Sequence, residues 1–282
     1  MSLAEALIQG LVQGITEMLP ISSSGHLSLF RYFFGSNDSG SLFFSVVLHL
    51  GTITAVVAVF WERIKELIIE AFRVLRDIFT GKFRFGDMDE KRRMLMMLIT
   101  ASLPLAVFYL FRDFVERIST DDDIIVEGIC FLITAVMLFL FSRKKDGLLN
   151  AADMTVKDAL IIGIAQGAAI MPGISRSGST ISAGALRGYS KDFVVAFSFI
   201  LGIPAVLGAA SVETLHAVKT ETIGEPVMLA VGFITSALAG FIAIKLIIRL
   251  IKTGRFAIFA YYLFAIGAVS VILGVLGIKP AF

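Results

Sequence analysis

Two short runs in this chain gather the residue types that handle phosphate. The first is Pro20-Ile21-Ser22-Ser23-Ser24-Gly25-His26, with Glu17 just upstream; the second is Pro172-Gly173-Ile174-Ser175-Arg176-Ser177-Gly178-Ser179-Thr180. Glycine permits tight backbone, hydroxyls and exposed N–H groups bind oxygen anions, and a helix starting at such a turn presents its positive end. Arg176 adds a planar fork that matches phosphate oxygens. The Glu17 carboxylate can hold a divalent cation such as Mg2+ or Ca2+, which prefers oxygen ligands and often bridges to phosphates. His26 can move a proton or attack as a nucleophile near neutral pH. Glu17, Ser23, His26 and Arg176 are therefore the candidate catalytic residues, and Glu17 is also the candidate metal ligand. Gln13, Ser22, Ser24, Gly25, Ser175, Ser177 and Thr180 are candidates for binding substrate. These are the parts of a phosphoryl-transfer site, where positioning and charge neutralisation dominate. Three routes stay open: attack by His26, attack by Ser23 with His26 as base, or attack by water activated by Glu17 or its metal. A bare Glu17–Arg176 ion pair is the structural alternative, and it leaves the serine runs and His26 unexplained.

The two runs are copies of one another. Displacing the chain by 153 residues aligns 5–26 with 158–179 without a gap, and eleven of the 22 positions are identical: Ala6, Leu7, Ile8, Gly10, Gln13, Gly14, Met18, Ile21, Ser22, Ser24 and Gly25. Chance would give about two at this composition. The differences carry the chemistry, since Glu17 faces Ile170, Ser23 faces Arg176 and His26 faces Ser179. One copy brings an acid and an imidazole, the other a guanidinium.

The rest of the chain positions these runs in a membrane. Of 282 residues, 57% are hydrophobic and 17% charged, against roughly 25% charged in a soluble domain. A single cysteine, Cys130, excludes an internal disulfide and a cysteine-rich zinc site. The net charge of +2, with basic residues clustered between apolar runs, argues against a nucleic-acid surface. Six stretches, 42–61, 94–111, 124–141, 193–212, 227–245 and 256–278, reach the roughly 20 apolar residues that a spanning helix needs. Pro104 and Pro204 fall inside two of them and read as kinks, which membrane helices tolerate. The segments 3–35 and 158–190 are each broken at the centre by the serine-glycine turn, so each predicts a re-entrant pair of half-helices. No Lys or Arg precedes Arg31, which argues against a cleaved signal peptide.

Basic residues set the expected orientation. Segments 62–93, 143–158 and 249–255 hold nine, four and three Lys or Arg, whereas the opposite connections hold Arg112, Arg117 and Lys219, with Lys279 at the tail. By the positive-inside rule the first set is cytoplasmic and both termini lie outside. The alternation over 62–82 suits a helix lying along the cytoplasmic interface. The expected fold is an all-α polytopic integral membrane protein, one membrane domain over 1–282. It is built from two inverted-topology repeats, 1–150 and 151–282, with six full transmembrane helices plus two re-entrant half-helix pairs. Sites in such folds usually lie near the midplane, where the broken helices meet.

At Gln13-Gly-Ile-Thr-Glu17-Met-Leu-Pro-Ile-Ser-Ser-Ser-Gly-His26 and Pro172-Gly-Ile-Ser-Arg-Ser-Gly-Ser-Thr180, with 44–50 and the overall length also fitting, the sequence resembles the undecaprenyl-diphosphate phosphatases, the bacitracin-resistance proteins of bacterial inner membranes. The resemblance covers essentially the whole chain. It implies that Glu17, Ser22, Ser23, His26, Ser175 and Arg176 line the active site, that a divalent cation supports activity, and that the site opens toward the extracytoplasmic face. It also implies that the product is undecaprenyl phosphate, the lipid carrier for cell-wall precursors. Gln13 stands where some members have a second Glu, and Ser45 where an acidic residue is common. The expected partners are a polyprenyl diphosphate and membrane lipids, with homodimerisation left open. Type-2 phosphatidic-acid phosphatases share S-G-H and S-R elements but also need an Arg-Pro pair that is absent here. His49, on a full span with no motif around it, is expected to be a hydrogen-bonded core residue, with a substrate contact as the alternative. The rival function is a transporter or flippase for an anionic substrate, since broken helices in inverted repeats are a transporter architecture.

Overall fold

A computed structural model describes residues 1–34, 42–84, 86, 88–111, 114–115, 117, 123–219 and 225–278. Arg112 and Lys279, two of the outward basic residues, lie outside them. The described residues form α1 (Leu3–Met18), α2 (Ser23–Phe34), α3 (Leu42–Val59), α4 (Trp61–Phe79), α5 (Glu90–Tyr109) and α6 (Ile125–Arg143) in the first half. In the second half are α7 (Val156–Ala168), α8 (Arg176–Leu186), α9 (Lys191–Lys219), α10 (Pro226–Lys252) and α11 (Ala257–Val275). Local chemistry starts several of them. Ser2 and Glu5 close a capping box on α1, Asp89 caps α5, Thr155 caps α7 and Ser175 caps α8, each satisfying an N–H that the helix cannot.

Among the described residues, five helices (α5, α6, α9 through Gly208, α10 and α11) are long and apolar enough to cross a membrane, and α3 with α4 makes a sixth candidate bent by 92°. The chain is a polytopic membrane protein. Large apolar side chains cover its outside, among them Ile8, Leu103, Ile133, Leu238 and Ile258, each 46–61% exposed, as a hydrocarbon solvent allows. Both α5 and α9 run through their internal prolines, Pro104 and Pro204. The amphipathic stretch expected over 62–82 is α4, which leaves α3 almost at a right angle. Its buried stripe contains Glu70, and Arg92 at the start of α5 reaches both Glu70 (2.7 Å) and Asp77 (2.8 Å). The hydrogen bond from Arg92 holds the Asp77 carboxyl below the ordinary carboxylate range.

Several of the helix contacts recur when the two halves are exchanged. α1 lies along α10 as α7 lies along α5; α3 packs on α10 as α9 does on α5; and α3 meets α9 while α6 meets α11. The α1–α10 contact is built on small residues, because a Cβ on Gly14 would come within 2.5 Å of the Ser236 carbonyl and 2.6 Å of Ala239. Where lipid is as apolar as the side chains, such close backbone approach provides the packing energy. Ser236 then donates to the Leu48 carbonyl at 2.7 Å, tying α10 to α3. Asp158, at the start of α7, takes Arg187 (2.5 Å) and the Tyr189 hydroxyl (2.9 Å) from the far end of α8. That contact closes the 158–190 segment on itself.

Candidate active site

The two serine-glycine turns meet. α1 and α2 are 16 and 12 residues long, α7 and α8 are 13 and 11, and the breaks between them interlock. Ser22 adopts a left-handed φ of 68°, a conformation costly for a residue with a Cβ. Its Oγ accepts from the Gly173 N–H at 3.1 Å across the repeat boundary and from Gly25 N–H at 3.4 Å. A Cβ on Gly25 would lie 2.7 Å from the backbone of Gly173, so the turns touch only because position 25 lacks a side chain, while a Cβ on Gly173 would meet Glu127 and Cys130 of α6. Thr134 on α6 donates to the Gly173 carbonyl (3.1 Å) and accepts from Ser175 N–H (3.2 Å), which locks the second turn.

At this junction Arg176 Nη2 donates to Glu17 Oε1 at 2.8 Å, joining the halves by a partly buried ion pair. Ser23 Oγ donates to Glu17 Oε2 at 3.0 Å, and Gln13 Nε2 reaches the same oxygen at 3.4 Å. The guanidinium lies against Gly202 of α9, where any Cβ would collide with it. Beside the pair is a cavity of about 190 Å3, lined among others by Glu17, Ser23, Ser24, Gln166, Ser175 and Arg176. Leu105 and Ala205, each one residue after an in-helix proline, complete its wall. Both α2 and α8 start at this cavity, so two positive helix ends face one space. A cavity of this size has room for a small polar group such as a diphosphate. A second cavity of about 420 Å3 lies at the start of α5 and α9, away from the motifs; there Lys91 already pairs with Glu66 at 2.7 Å.

The structure thus brings Glu17, Ser22, Ser23, Ser24, Ser175 and Arg176 to one cavity. It does not bring the others. His26 Nδ1 meets the Ser22 carbonyl at 2.7 Å and Nε2 meets the Tyr262 hydroxyl at 2.6 Å, with the two rings stacked. With both nitrogens engaged and the ring outside the cavity lining, His26 is separated from the carboxylate and guanidinium. Gly25 serves turn packing. Gln13 reaches the cluster only through Glu17, and Ser177 and Thr180 are buried behind the cavity wall, with Thr180 bonded to Ser198 at 2.5 Å.

Three neighbours escape a reading of the motifs. Besides its expected bond to the Ser45 carbonyl (2.8 Å), His49 Nε2 stands 4.0 Å from Glu17 Oε2, so it belongs to the cluster and not to the core alone. Tyr262, in the charge-free last span, gave no signal. Gln166 did leave one, because it is the counterpart of Gln13 among the repeat identities. For a cation, the donor set is one carboxylate with a hydroxyl and an amide, and among the described residues no three His, Cys, Asp or Glu gather. Hard oxygen donors with few charges fit a cation shared with phosphate oxygens, not one caged by protein alone.

Comparison with known proteins covers nearly the whole chain. The model of the family described as Bacitracin resistance protein BacA matches residues 6–269. An undecaprenyl-diphosphatase of Methanosphaera stadtmanae is 38% identical over 280 residues, covering 98% of this chain and 99% of the relative. Proteins of the same description from Carboxydothermus hydrogenoformans (36%, covering 97% and 98%) and Bacteroides fragilis (35%, covering 95% and 97%) are similarly full-length matches.

Proposed function

The chain belongs to the bacitracin resistance protein family and hydrolyses undecaprenyl diphosphate, and we propose that the Glu17–Ser23–Arg176 cluster is where that hydrolysis takes place. The observation that carries this assignment is the 2.8 Å contact between an acid from one repeat and a guanidinium from the other, at the mouth of two helix N-termini. The headgroup enters the cavity and the polyprenyl tail stays among lipids. Arg176 exchanges the carboxylate for phosphate oxygens, which a guanidinium grips in a two-pronged manner. Glu17 then loses its countercharge and accepts the proton of Ser23, already hydrogen-bonded to it at 3.0 Å. Ser23 Oγ attacks the terminal phosphorus, the anhydride bond to undecaprenyl phosphate breaks, and the helix N–H groups stabilise the charge that develops. Glu17 passes that proton to the departing undecaprenyl phosphate, takes another from the water that releases inorganic phosphate from the phosphoserine, and returns it to Ser23 Oγ. Ser23 is preferred over His26 because its hydroxyl lines the cavity and touches Glu17, whereas both His26 nitrogens are engaged elsewhere. A divalent cation, Mg2+ or Ca2+, would be held by Glu17 together with Ser23 and would neutralise charge on the diphosphate.

The wider architecture belongs to the same proposal. The halves 1–150 and 151–282 are inverted repeats of one membrane domain, with α1–α2 and α7–α8 as re-entrant pairs between six full spans. The helix contacts that recur on exchange of the halves support this. We assign the site to the extracytoplasmic side of the bacterial inner membrane, as the family resemblance implies, and recycling of the lipid carrier for peptidoglycan goes with that placement. The test is phosphate release from a polyprenyl diphosphate by purified protein in detergent, with Glu17→Gln and Ser23→Ala as controls. Release by wild type that falls at least a hundredfold in both variants is expected. Full activity in either variant removes that residue from the chemistry, and an inactive wild type that moves lipid in vesicles favours the carrier function.

A further inference from the structure

Gln166 lies in the last turn of α7, is 2% exposed and lines the cavity beside Arg176. Neither its Nε2 nor its Oε1 has a hydrogen-bond partner among the described residues. Burying an unpaired amide costs about 1–3 kcal/mol, so an apolar residue of the same size would make the empty protein more stable. The repeat explains how the orphan arises. Its counterpart Gln13 bonds to Glu17 one turn later, but the residue one turn after Gln166 is Ile170, which offers nothing. The amide was kept where its intramolecular partner is missing. Arg176 Nη1 is also buried without a hydrogen-bond partner, so two orphaned donor groups belong to residues lining the same space. A ligand that answers both must be rich in acceptors and negatively charged.

Resting on the assignment of the diphosphate to this cavity, we propose that Gln166 is a substrate-binding residue: its Nε2 donates to a nonbridging oxygen of the diphosphate, flanking the grip of Arg176. Oε1 is left to accept from a protonated phosphate oxygen or from water in the cavity. Gln166 therefore acts on binding more than on the bond-breaking step.

The experiment compares wild type, Gln166→Met and Gln166→Glu by thermal unfolding, by steady-state hydrolysis of a polyprenyl diphosphate, and by calorimetric binding of pyrophosphate. A hydrogen bond to a charged group corresponds to about ten- to hundredfold in affinity. Gln166→Met is expected to unfold at the same or a higher temperature, with KM and the pyrophosphate Kd raised about ten- to hundredfold and kcat changed much less. Gln166→Glu should bind pyrophosphate more weakly still, because it sets a carboxylate against the anion. Wild-type KM and Kd in the Met variant, or losses that follow a lowered melting temperature in both variants, would overturn the proposal. An inactive wild type that still binds pyrophosphate in a Gln166-dependent way would remove the hydrolytic assignment and leave this anion contact standing.

Discussion

Gly202→Ala tests whether the exact seat of the Arg176 guanidinium matters. A Cβ built on Gly202 would overlap Arg176 Nη1, its nearest neighbour, and lie 2.7 Å from Cζ and 3.1 Å from Nη2. Ordinary contact between carbon atoms needs about 3.5 Å, so relieving the Cζ contact alone moves the guanidinium by about 0.8 Å, and the Nη1 overlap requires more. The atom met is the tip of a flexible side chain and not backbone, which makes the fold tolerant of the change. Alanine also gains about 0.5–1 kcal/mol over glycine inside a helix. The 2.8 Å bond to Glu17 cannot survive that displacement in its present geometry, and a charge-assisted bond contributes about 1.5–3 kcal/mol. A misplacement of this order costs up to about a hundredfold when the group positions a reacting centre. The expected outcome is a melting temperature equal to or slightly above wild type, with kcat/KM for phosphate release reduced about ten- to hundredfold. Wild-type kcat/KM at unchanged stability would show that catalysis does not depend on this position of Arg176. A collapse in stability would show that the helix packing, and not the guanidinium, occupies the space.

Arg176→Lys keeps the charge but not the fork, and should lower phosphate release at least tenfold; near-wild-type turnover would reduce the pair with Glu17 to a structural contact. A substrate with a chiral terminal phosphate should be hydrolysed with retention, as two displacements through Ser23 require, and clean inversion would mean direct attack by water. Asp77 has its carboxyl lowered by Arg92, so its share of the α4–α5 clamp is complete above the ordinary Asp range, near pH 4, and is lost as pH falls through the lowered value. Amide exchange in α4 should therefore accelerate in strong acid, and Asp77→Asn should show that acceleration already at neutral pH. Ser2→Cys and Ile278→Cys should react with an impermeant thiol reagent from the extracytoplasmic side alone, since the native Cys130 is buried; labelling only from the cytoplasm would invert the topology.

Hydropathy, proline and glycine placement and an internal repeat are local properties, and they made the spans, the broken segments and the two motifs legible in the sequence. The stretch 124–141 became Ile125–Arg143 and 94–111 became Glu90–Tyr109, because a run of about 20 apolar residues has one stable form in a bilayer. The pairing of Glu17 with Arg176 was also within reach, since an acid and a guanidinium facing apolar or neutral residues in the other copy need each other inside a membrane. Ser23, already singled out from its motif, does touch that pair, but which histidine stands beside it was not legible. His26 follows Ser23 in the chain, yet its direction on α2 turns it to Tyr262, 236 residues away in sequence. His49 has no motif, yet α3 delivers it to within 4.0 Å of Glu17. Helical periodicity fixes only the relative directions of side chains on one helix; how that helix is rotated against its neighbours is set by close contacts such as Gly14 on Ser236 and Gly25 on Gly173. Those contacts join residues more than a hundred positions apart, so only the folded chain decides which polar groups share the cavity.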